Sequence, residues 1–519
     1  RGEPYCADMS AATPPGPSPP SSDWRARRLA LHKRVAEVEG VRSLSQLAGF
    51  KAAQQTWSEP EMAAVWAQAA AESSARTVNS LYVHVPFCKS ICDFCNYERL
   101  RPSSPGALTA WRDRVLASID TFAPAVDRLE FHALYVGGGT PSVLPARILR
   151  EVFTAIDSRL RWRPYSNRSI ELDPAVVNAD KVQAMLDHGF HRFSFGVQTT
   201  DKAVNQAHNR GPQGPAMVRR CLDLLPAGPG SSVTADVLLG LQGVSPEDTL
   251  RDLELLMAHP RRPAVDLFHL TPTTHYVDEH FAGDAEAAAA AVDRYGADFD
   301  AALAELCARQ LYTVRRGGSH HCRSLHPGGL KEHLRRWLGD GLRGTWRRPS
   351  RPPDEMVRHA AKALKALPAI ARRQPVYSQI VTEVREPFNL MGLGPSARTQ
   401  VFGQAAVQTR PHAGEEGPTT YVGSPVDHTD ELVNFVLFEV RDRGRVLDED
   451  LLRVCGTTLA ESRPDAVAEW QRMGLVQRIE GGWQFQRERR AIAEDMLWVV
   501  PESHLEALVA RKTRRDHAG

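Results

Sequence analysis

The sequence predicts an α/β fold, in which alternating strands and helices build a parallel sheet ahead of a smaller helical C-terminal domain. Two observations predict the sheet: short apolar runs alternate with amphipathic helical segments from residue 81 onward, and polar or glycine residues recur where those runs end. Repeated strand–helix units form parallel sheets, which are open or closed into a barrel. A third observation predicts the second domain, because residues 431–483 have the pattern of helices followed by a short hairpin.

Six apolar runs are the predicted strands, and helical segments such as 146–160 and 179–188 lie between them. Folds of this class place their functional sites at the C-terminal ends of the strands, so we expect the functional residues there. The runs cover residues 81–85, 134–136, 169–172, 192–195, 233–239 and 265–270.

Composition limits the classes of function. The chain has 519 residues, too many for one ordinary domain, with 42% hydrophobic and 24% charged residues. A formal net charge of +2 gives no general attraction to nucleic acid or to anionic membranes. No segment has the length and apolar character of a membrane span, and the first residues lack the apolar core of a signal peptide. We therefore expect a cytoplasmic, monomeric protein that binds neither nucleic acid nor membranes.

Changes in composition predict the domain organisation. The start is rich in Pro, Ser and Ala, which favours disorder, and apolar residues at helical intervals follow it. Residues 314–353 are dense in Arg, Gly, His and Trp and have little periodicity. The predicted segments are a disordered tail (1–23), an N-terminal helical extension (24–80), a strand–helix barrel (81–313), an irregular basic insertion (314–373) and a C-terminal helical, winged-helix-like domain (374–510).

Metal chemistry is predicted by Cys88-Lys-Ser-Ile-Cys92-Asp-Phe-Cys95, a C-x3-C-x2-C run directly after a strand. The chain has eight cysteines, and this crowding favours metal ligation over a disulfide framework. Thiolates are the usual ligands of iron–sulfur clusters, and three of them leave one iron of a cubane cluster open to an outside molecule. A structural zinc site is the alternative, and it requires a fourth ligand, for which His84 is near.

The cysteine run and the strand before it resemble the radical S-adenosylmethionine (SAM) superfamily. In that superfamily the open iron of a [4Fe–4S] cluster binds SAM, and an electron cleaves SAM to methionine and a 5′-deoxyadenosyl radical. Further motifs follow in the order seen in the oxygen-independent coproporphyrinogen III oxidases (HemN) and their relatives, over about residues 81–274, the turn 392–397 and the C-terminal helical unit. These motifs are Tyr82-Val-His-Val-Pro-Phe-Cys88, Gly137-Gly-Gly-Thr-Pro-Ser142, Glu171-Leu-Asp-Pro174, Phe195-Gly-Val-Gln198 and the segment from Asp236.

The resemblance implies a partial (β/α)6 barrel of the TIM type, a [4Fe–4S] cluster and SAM. It implies that the cluster is held by Cys88, Cys92 and Cys95. Tyr82 would pack near the cluster and the first SAM. Phe94 would pack on a SAM molecule, and members of this type can hold two SAM molecules in one pocket.

The same resemblance assigns the remaining SAM contacts. Glu171 would take the amino group of SAM, with a solvated carboxylate as the alternative. Arg210 is otherwise an ordinary surface cation, and a triple glycine is otherwise a tight turn. The residues expected to approach SAM through bare backbone are Gly138, Gly139 and Thr140. The residues expected to hold its carboxylate and ribose are Gln198, Arg210 and Asp236.

Three functions within the family compete: oxidative decarboxylation of coproporphyrinogen III, transfer of a C1 unit from a second SAM, and haem delivery by a non-catalytic chaperone. The cysteine motif of the oxidases resembles C-x3-C-x2-C-x-C, whereas Tyr97 occupies the position of its last cysteine in this sequence. Haem chaperones usually begin close to the cysteine motif, whereas residues 1–80 precede it here. We therefore favour a class C radical SAM methyltransferase or cyclopropanase that modifies an sp2 carbon of a natural-product intermediate, a small molecule. Such an enzyme requires an electron donor such as flavodoxin or ferredoxin.

Overall fold

The computed structural model describes residues 22–36, 55–226, 231–316, 320–324, 386–411, 417–486, 493–506 and 509–510. The chain divides into two compact units. The sheet unit contains residues 55–384 and 388–423, and the C-terminal unit contains residues 1–54, 385–387 and 424–519. The predicted tail 1–23, except its last two residues, and most of the predicted insertion 314–373 lie outside the described residues.

One 13-stranded sheet forms the frame of the sheet unit. Its strands are β1 (Gln55–Ser58), β2 (Val78–Val85), β3 (Glu130–Gly138), β4 (Arg161–Leu172), β5 (Arg192–Gln198), β6 (Ser232–Leu239), β7 (Ala264–His269), β8 (Tyr312–Arg316), β9 (His320–Ser324), β10 (Phe388–Leu393), β11 (Arg398–Val401), β12 (Ala405–Arg410) and β13 (Thr420–Pro425).

The strand order is β1-β13-β12-β11-β10-β2-β3-β4-β5-β6-β7-β9-β8. Strands β2 to β7 are parallel and lie side by side in chain order, so the six predicted strands form the predicted partial barrel. Strand β10 extends the parallel set beyond β2, and β9 pairs antiparallel with β7. Because β2 is central, nearly all of its residues are buried, as expected for a strand covered on both faces.

Helices connect the strands, and local sequence explains where several of them begin. Ser58 and Ser245 each form a capping box, with Glu61 and Asp248 respectively, and a capping box satisfies two backbone N–H groups at a helix start. No helix in the described part of the chain is both long and apolar enough to cross a membrane. The helices of the sheet unit are α2 (Glu59–Glu72), α3 (Pro105–Phe122), α4 (Ala146–Arg159), α5 (Ala179–Asp187), α6 (Lys202–Ala207), α7 (Pro215–Leu224), α8 (Pro246–Ala258), α9 (Thr274–Phe281), α10 (Ala285–Asp293) and α11 (Ala297–Arg309).

The N-terminal extension predicted over residues 24–80 divides between the two units. Helix α1 (Ser22–Ala36) belongs to the C-terminal unit, whereas β1 and α2 belong to the sheet unit. Strand β1 pairs antiparallel with β13, and Trp66 of α2 is almost fully buried. Helical periodicity does not predict which unit each helix belongs to, because a helix has the same apolar stripe whichever unit it packs against.

The insertion predicted to begin at residue 314 also contains ordered sheet. Strand β9 carries three residues, His320, His321 and Arg323, that are polar and atypical of a strand. They are accommodated because Cys322 between them is fully buried and because β9 pairs with both β7 and β8.

The C-terminal unit combines α1 with the end of the chain. The Arg28 guanidinium of α1 donates hydrogen bonds of 2.7 Å to the carbonyl oxygens of Leu497 and Val500. Three short helices and a three-stranded sheet of order β14-β16-β15 succeed one another in the order of elements expected for a winged-helix unit. The elements are α12 (His428–Arg443), β14 (Arg445–Leu447), α13 (Asp448–Cys455), α14 (Leu459–Ser462), α15 (Pro464–Arg472), β15 (Val476–Ile479), β16 (Gly482–Phe485) and α16 (Ala493–Met496).

Candidate active site

A cavity of about 660 Å³ extends from the C-terminal ends of β3 to β7 into the interior of the partial barrel. This is the edge where parallel sheets place their functional sites, and the volume lies in the range of small-molecule pockets. Every residue that the sequence predicted as a cofactor contact lines this one cavity. These residues are Tyr82, Cys88, Cys92, Phe94, Cys95, Gly138, Gly139, Thr140, Glu171, Gln198, Arg210 and Asp236.

The loop after β2 carries the three cysteines, and all three thiols are free. The backbone N–H of Cys88 donates to the carbonyl of Leu100 at 2.9 Å, and that of Cys95 donates to the carbonyl of Cys92 at 3.2 Å. The Arg99 guanidinium donates to the Cys92 carbonyl oxygen at 3.0 Å. These bonds hold the backbone of the loop independently of any metal.

Hydrogen-bond donors face two of the thiols. The Thr140 hydroxyl donates to Cys88 Sγ at 3.4 Å, and Arg210 Nη1 donates to Cys92 Sγ at 3.8 Å. Burial raises the pKa of Cys88 to about 11, although the Thr140 bond opposes this, and burial also raises the pKa of Cys92 against the effect of Arg210. Because iron binds the thiolate, loading a cluster here must release protons.

A [4Fe–4S] cluster fits this arrangement better than a single metal ion does. Among the residues that the structure describes, no group of three His, Cys, Asp or Glu side chains is arranged to hold one ion. A cubane cluster does not require such convergence, because each thiolate binds a different iron. The zinc alternative would need His84 as its fourth ligand, but His84 is not among the residues that line the cavity with the three cysteines.

The glycine motif presents backbone to the cavity because side chains do not fit there. Gly138 has φ of +113°, a conformation that only glycine adopts readily. A Cβ atom on Gly139 would lie 2.8 Å from the carbonyl oxygens of Pro86 and Phe87. The N–H of Gly139 donates to the carbonyl of Val85 at 2.7 Å, so this turn packs directly on the start of the cysteine loop.

Two part-buried carboxyl groups line the cavity beside the glycine turn and on β6. Glu171 accepts hydrogen bonds from the Tyr135 hydroxyl and from the Gly138 N–H, and Asp236 accepts one of 2.7 Å from the Ser194 hydroxyl. Burial raises the pKa of Glu171 above its ordinary value and raises that of Asp236 well above it. A buried acid of this kind is stabilised in its charged form by a cationic ligand.

Arg210 connects the cysteine loop to β5 and to Asp173. Its Nη2 donates to the carbonyl of Gly196 at 2.6 Å and lies 3.5 Å from Asp173 Oδ2. Gln198, at the end of β5, has φ of +62° and also lines the cavity. Arg210 is not an ordinary surface cation, because its side chain is only 10% exposed, and the Glu171 carboxylate is held by hydrogen bonds from Tyr135 and Gly138.

Sequence reasoning missed several polar groups of the cavity. Tyr135 was predictable, because strand alternation places it on the same face of β3 as Gly137. Arg323 was not, because its strand lay in the predicted irregular insertion. Its side chain is 7% exposed and pairs with Asp266 at 2.5 Å. Although burial opposes it, hydrogen bonds from His321 and Arg323 hold the pKa of Asp266 below its ordinary value.

The sequence matches a known family over its first barrel strands. Residues 82–256 match the profile of the radical SAM superfamily. The members of this superfamily use a [4Fe–4S] cluster and SAM, which agrees with the cofactors expected from the cysteine run.

Curated relatives align over the same region. The chain is 28% identical to anaerobilin synthase of Escherichia coli O157:H7 over 38% of its own length and 44% of the relative's. It is 33% identical to an oxygen-independent coproporphyrinogen III oxidase of Synechocystis over 38% and 42%. It is 28% identical to the heme chaperone HemW of Lactococcus lactis over 38% and 51%. The chain therefore spans about half or less of the length of these relatives.

A solved structure extends the likeness to the rest of the fold. The structure of coproporphyrinogen III oxidase (HemN) from Escherichia coli, a radical SAM enzyme, superposes with a TM-score of 0.58. The match covers 88% of this chain and 95% of that one at 19% sequence identity. At this level of identity the match establishes a shared fold.

Proposed function

We propose that this protein, whose residues 82–256 form a radical SAM domain, is an enzyme that cleaves SAM reductively and acts on a tetrapyrrole. The observation that carries the proposal is that three free thiols, a bare glycine turn, two carboxyls and Arg210 all line one cavity. Each of these groups complements one part of a cluster-bound SAM molecule, and their positions in the chain follow the motif order of the family.

When bound, the cluster and SAM supply a 5′-deoxyadenosyl radical. The chain's own residues then have three tasks. Cys88, Cys92 and Cys95 hold the cluster, and Arg210 and Glu171 supply the opposite charges that match the carboxylate and ammonium of SAM. Buried apolar groups around the cavity exclude water, which would otherwise compete for these contacts.

A tetrapyrrole is the substrate class that the relatives favour, because both the oxidase and the chaperone are named for one. None of the three relatives reported above is named for methyl transfer, so oxidative decarboxylation of coproporphyrinogen III takes precedence over the C1 transfer that the sequence predicted. In that reaction the 5′-deoxyadenosyl radical would take a hydrogen atom from a propionate, CO2 would leave, and the remaining electron would pass to an external one-electron acceptor, which leaves a vinyl group. Arg323 lines the cavity as an ion pair with Asp266 at 2.5 Å, and we propose it as the contact for a substrate carboxylate.

A product assay tests this proposal. After anaerobic reconstitution of the cluster, the protein is given SAM, a strong reductant and coproporphyrinogen III. We expect 5′-deoxyadenosine and CO2 to accumulate together, without S-adenosylhomocysteine. Stoichiometric haem binding without SAM cleavage would instead identify a chaperone and would contradict the enzymatic proposal.

C1 transfer remains a second candidate because of Tyr97. Tyr97 stands where the motif of the oxidases has its last cysteine. The residue is 67% exposed and lines the cavity. An aromatic ring facing the cavity provides an apolar surface for a flat sp2 carbon system. Formation of both 5′-deoxyadenosine and S-adenosylhomocysteine in the assay would establish this candidate.

The buried carboxyls predict how SAM binding depends on pH. The raised pKa of Glu171 means that the cofactor-free site is protonated to a higher pH than the ordinary carboxyl value of about 4.3. Since only the carboxylate attracts the ammonium of SAM, we expect affinity to rise with pH through the shifted value. Calorimetric titration at a series of pH values measures this.

The same shift has the opposite effect on the ligand-free fold. Unfolded Glu171 ionises more readily than folded Glu171, so the contribution of this group to stability falls as pH rises past about 4.3. Glu171→Gln should weaken SAM binding and reduce both pH dependences. Adding Asp236→Asn should remove most of what remains, because burial shifts that pKa in the same direction. SAM affinity that is independent of pH in the unmodified protein would refute this account.

A further inference from the structure

We propose that Asp93, which lies inside the cysteine run, is a positioning residue that acts through Asn209 to hold Arg210 against Cys92. The inference rests on the proposed cluster and SAM site but not on the proposed substrate. It assigns a role to a buried acid that neither ligates metal nor lines the cavity.

Both carboxylate oxygens of Asp93 are engaged by side chains distant in sequence. Asn209 Nδ2 donates to Oδ1 at 2.7 Å, and His280 Nε2 lies 2.9 Å from Oδ2. The backbone N–H of Asp93 donates to the carbonyl of His208 at 3.3 Å. The side chains of Asp93 and His280 are only 8% and 10% exposed. A carboxylate buried in this way is stable only while its partners remain in place.

Asn209 is the link to Arg210. It has φ of +57°, a left-handed conformation that asparagine tolerates better than most residues. The backbone N–H of Arg210 bonds to the carbonyl of Asn205 at 2.9 Å, which fixes where its side chain begins. From this point the guanidinium reaches both Cys92 Sγ and the carbonyl of Gly196. The Asp93–Asn209 bond therefore ties the cysteine loop to the residue that faces its middle thiol.

Helix α9 supports the other side of Asp93. The His280 ring stacks on His208 with centroids 4.2 Å apart and planes 12° from parallel. Nε2 of His208 lies 2.9 Å from the Tyr276 hydroxyl, which in turn accepts from the N–H of Gln242 at 3.0 Å. These contacts connect Asp93 through His280 and His208 to Tyr276, and a continuous network of this kind stabilises the positions of its members.

The consequence concerns charge at the cluster. A guanidinium held beside a cysteine sulfur stabilises the reduced, more negative state of a cluster and also attracts the carboxylate of SAM. If Asn209 no longer anchors the turn, Arg210 is free to withdraw toward Asp173, 3.5 Å away. Both the reduction potential and the SAM affinity then fall, while the cysteines still bind iron.

The test uses Asn209→Gly in the full chain, because glycine keeps the left-handed backbone and removes only the side-chain bond. After anaerobic reconstitution we measure iron and sulfide per chain, the midpoint potential by titration monitored with electron paramagnetic resonance, and SAM affinity by calorimetry. We expect full cluster content, a lower potential and SAM binding about tenfold weaker. Leu311→Gly is the matched control, since Leu311 is also left-handed at φ of +55° and is exposed.

A double-mutant cycle separates the proposed route from a general loosening of the site. If Asn209 acts through Arg210, Asn209→Gly adds little further loss of SAM affinity in an Arg210→Lys background. Unchanged potential and SAM affinity in the fully loaded variant would overturn the proposal. Loss of the cluster itself would also overturn it, because the effect would then lie on the cysteines. If the unmodified protein neither loads a cluster nor binds SAM, the proposed function fails first.

Discussion

Replacing Cys92 with alanine is expected to reduce formation of 5′-deoxyadenosine to background. The thiol lies between the other two ligands in the chain and is the one that Arg210 contacts, at 3.8 Å. With it removed, one iron loses its protein ligand, and the described residues provide no substitute group of metal-binding side chains. Arg210 would also lose the thiol that its guanidinium contacts. Iron and sulfide content, followed by chromatography of the products formed from SAM and reductant, measures the effect.

Cys455→Ala is the matched control for this prediction. Cys455 is also a free cysteine, but it lies at the end of α13 in the C-terminal unit and outside the cavity lining. We expect this variant to load a full cluster and to cleave SAM normally. A Cys92→Ala protein with a complete cluster and undiminished 5′-deoxyadenosine would remove the basis of the proposed site.

The order of the motifs made most of the site predictable. Cys88, Glu171 and Asp236 lie far apart in the chain, yet Cys88 follows one predicted parallel strand, Glu171 lies near the end of another, and Asp236 lies within a third. Because parallel strands in chain order bring those ends to one edge, the residues had to meet. The strand–helix alternation that gave β2 to β7 was therefore enough to place them around one cavity.

The groups that escaped prediction depend on long-range packing. Asp93 and His280 are 187 positions apart, and no periodicity relates the cysteine loop to α9. Arg323 reaches the cavity only because β9 joins the sheet antiparallel to β7. Polar residues in a short strand carry no strand signal, since propensity in a sheet reflects neighbours that the local sequence does not specify.

The reaction was less predictable than the site. Tyr97 favoured C1 transfer on the strength of one missing cysteine, whereas the relatives favour tetrapyrrole chemistry. Both interpretations use the same cluster and the same SAM contacts. They differ in the substrate and in the use of a second SAM, and contacts to the first SAM do not determine either. We expect cavity residues outside those contacts to discriminate between them, Tyr97 and Arg323 among them.

Gly139→Ala is expected to destabilise the sheet unit by about 3 kcal/mol and to prevent stable cluster loading. The added Cβ would lie 2.8 Å from the carbonyl oxygens of Pro86 and Phe87, and these are backbone atoms that cannot rotate away. Overpacking of this kind costs about 1–3 kcal/mol. The turn also makes two backbone hydrogen bonds of 2.7 Å to the segment before Cys88, from Gly139 to Val85 and from Thr140 to Phe87. Straining them adds about 1 kcal/mol for each bond.

The substitution should affect the cysteine loop specifically, and this distinguishes its effect from a general loss of stability. Pushing the glycine turn away from Phe87 moves Thr140 and the loop that begins at Cys88, so cluster content should fall even at temperatures where the variant remains folded. Gly106→Ala is the control: its Cβ meets only Ser104 Oγ, at 3.3 Å, and alanine favours the first turn of α3 by about 1 kcal/mol. Urea denaturation of the cofactor-free proteins gives the stability difference, and iron analysis gives the loading. If Gly139→Ala loads as much iron as Gly106→Ala, close approach of the glycine turn is not what aligns the first cysteine.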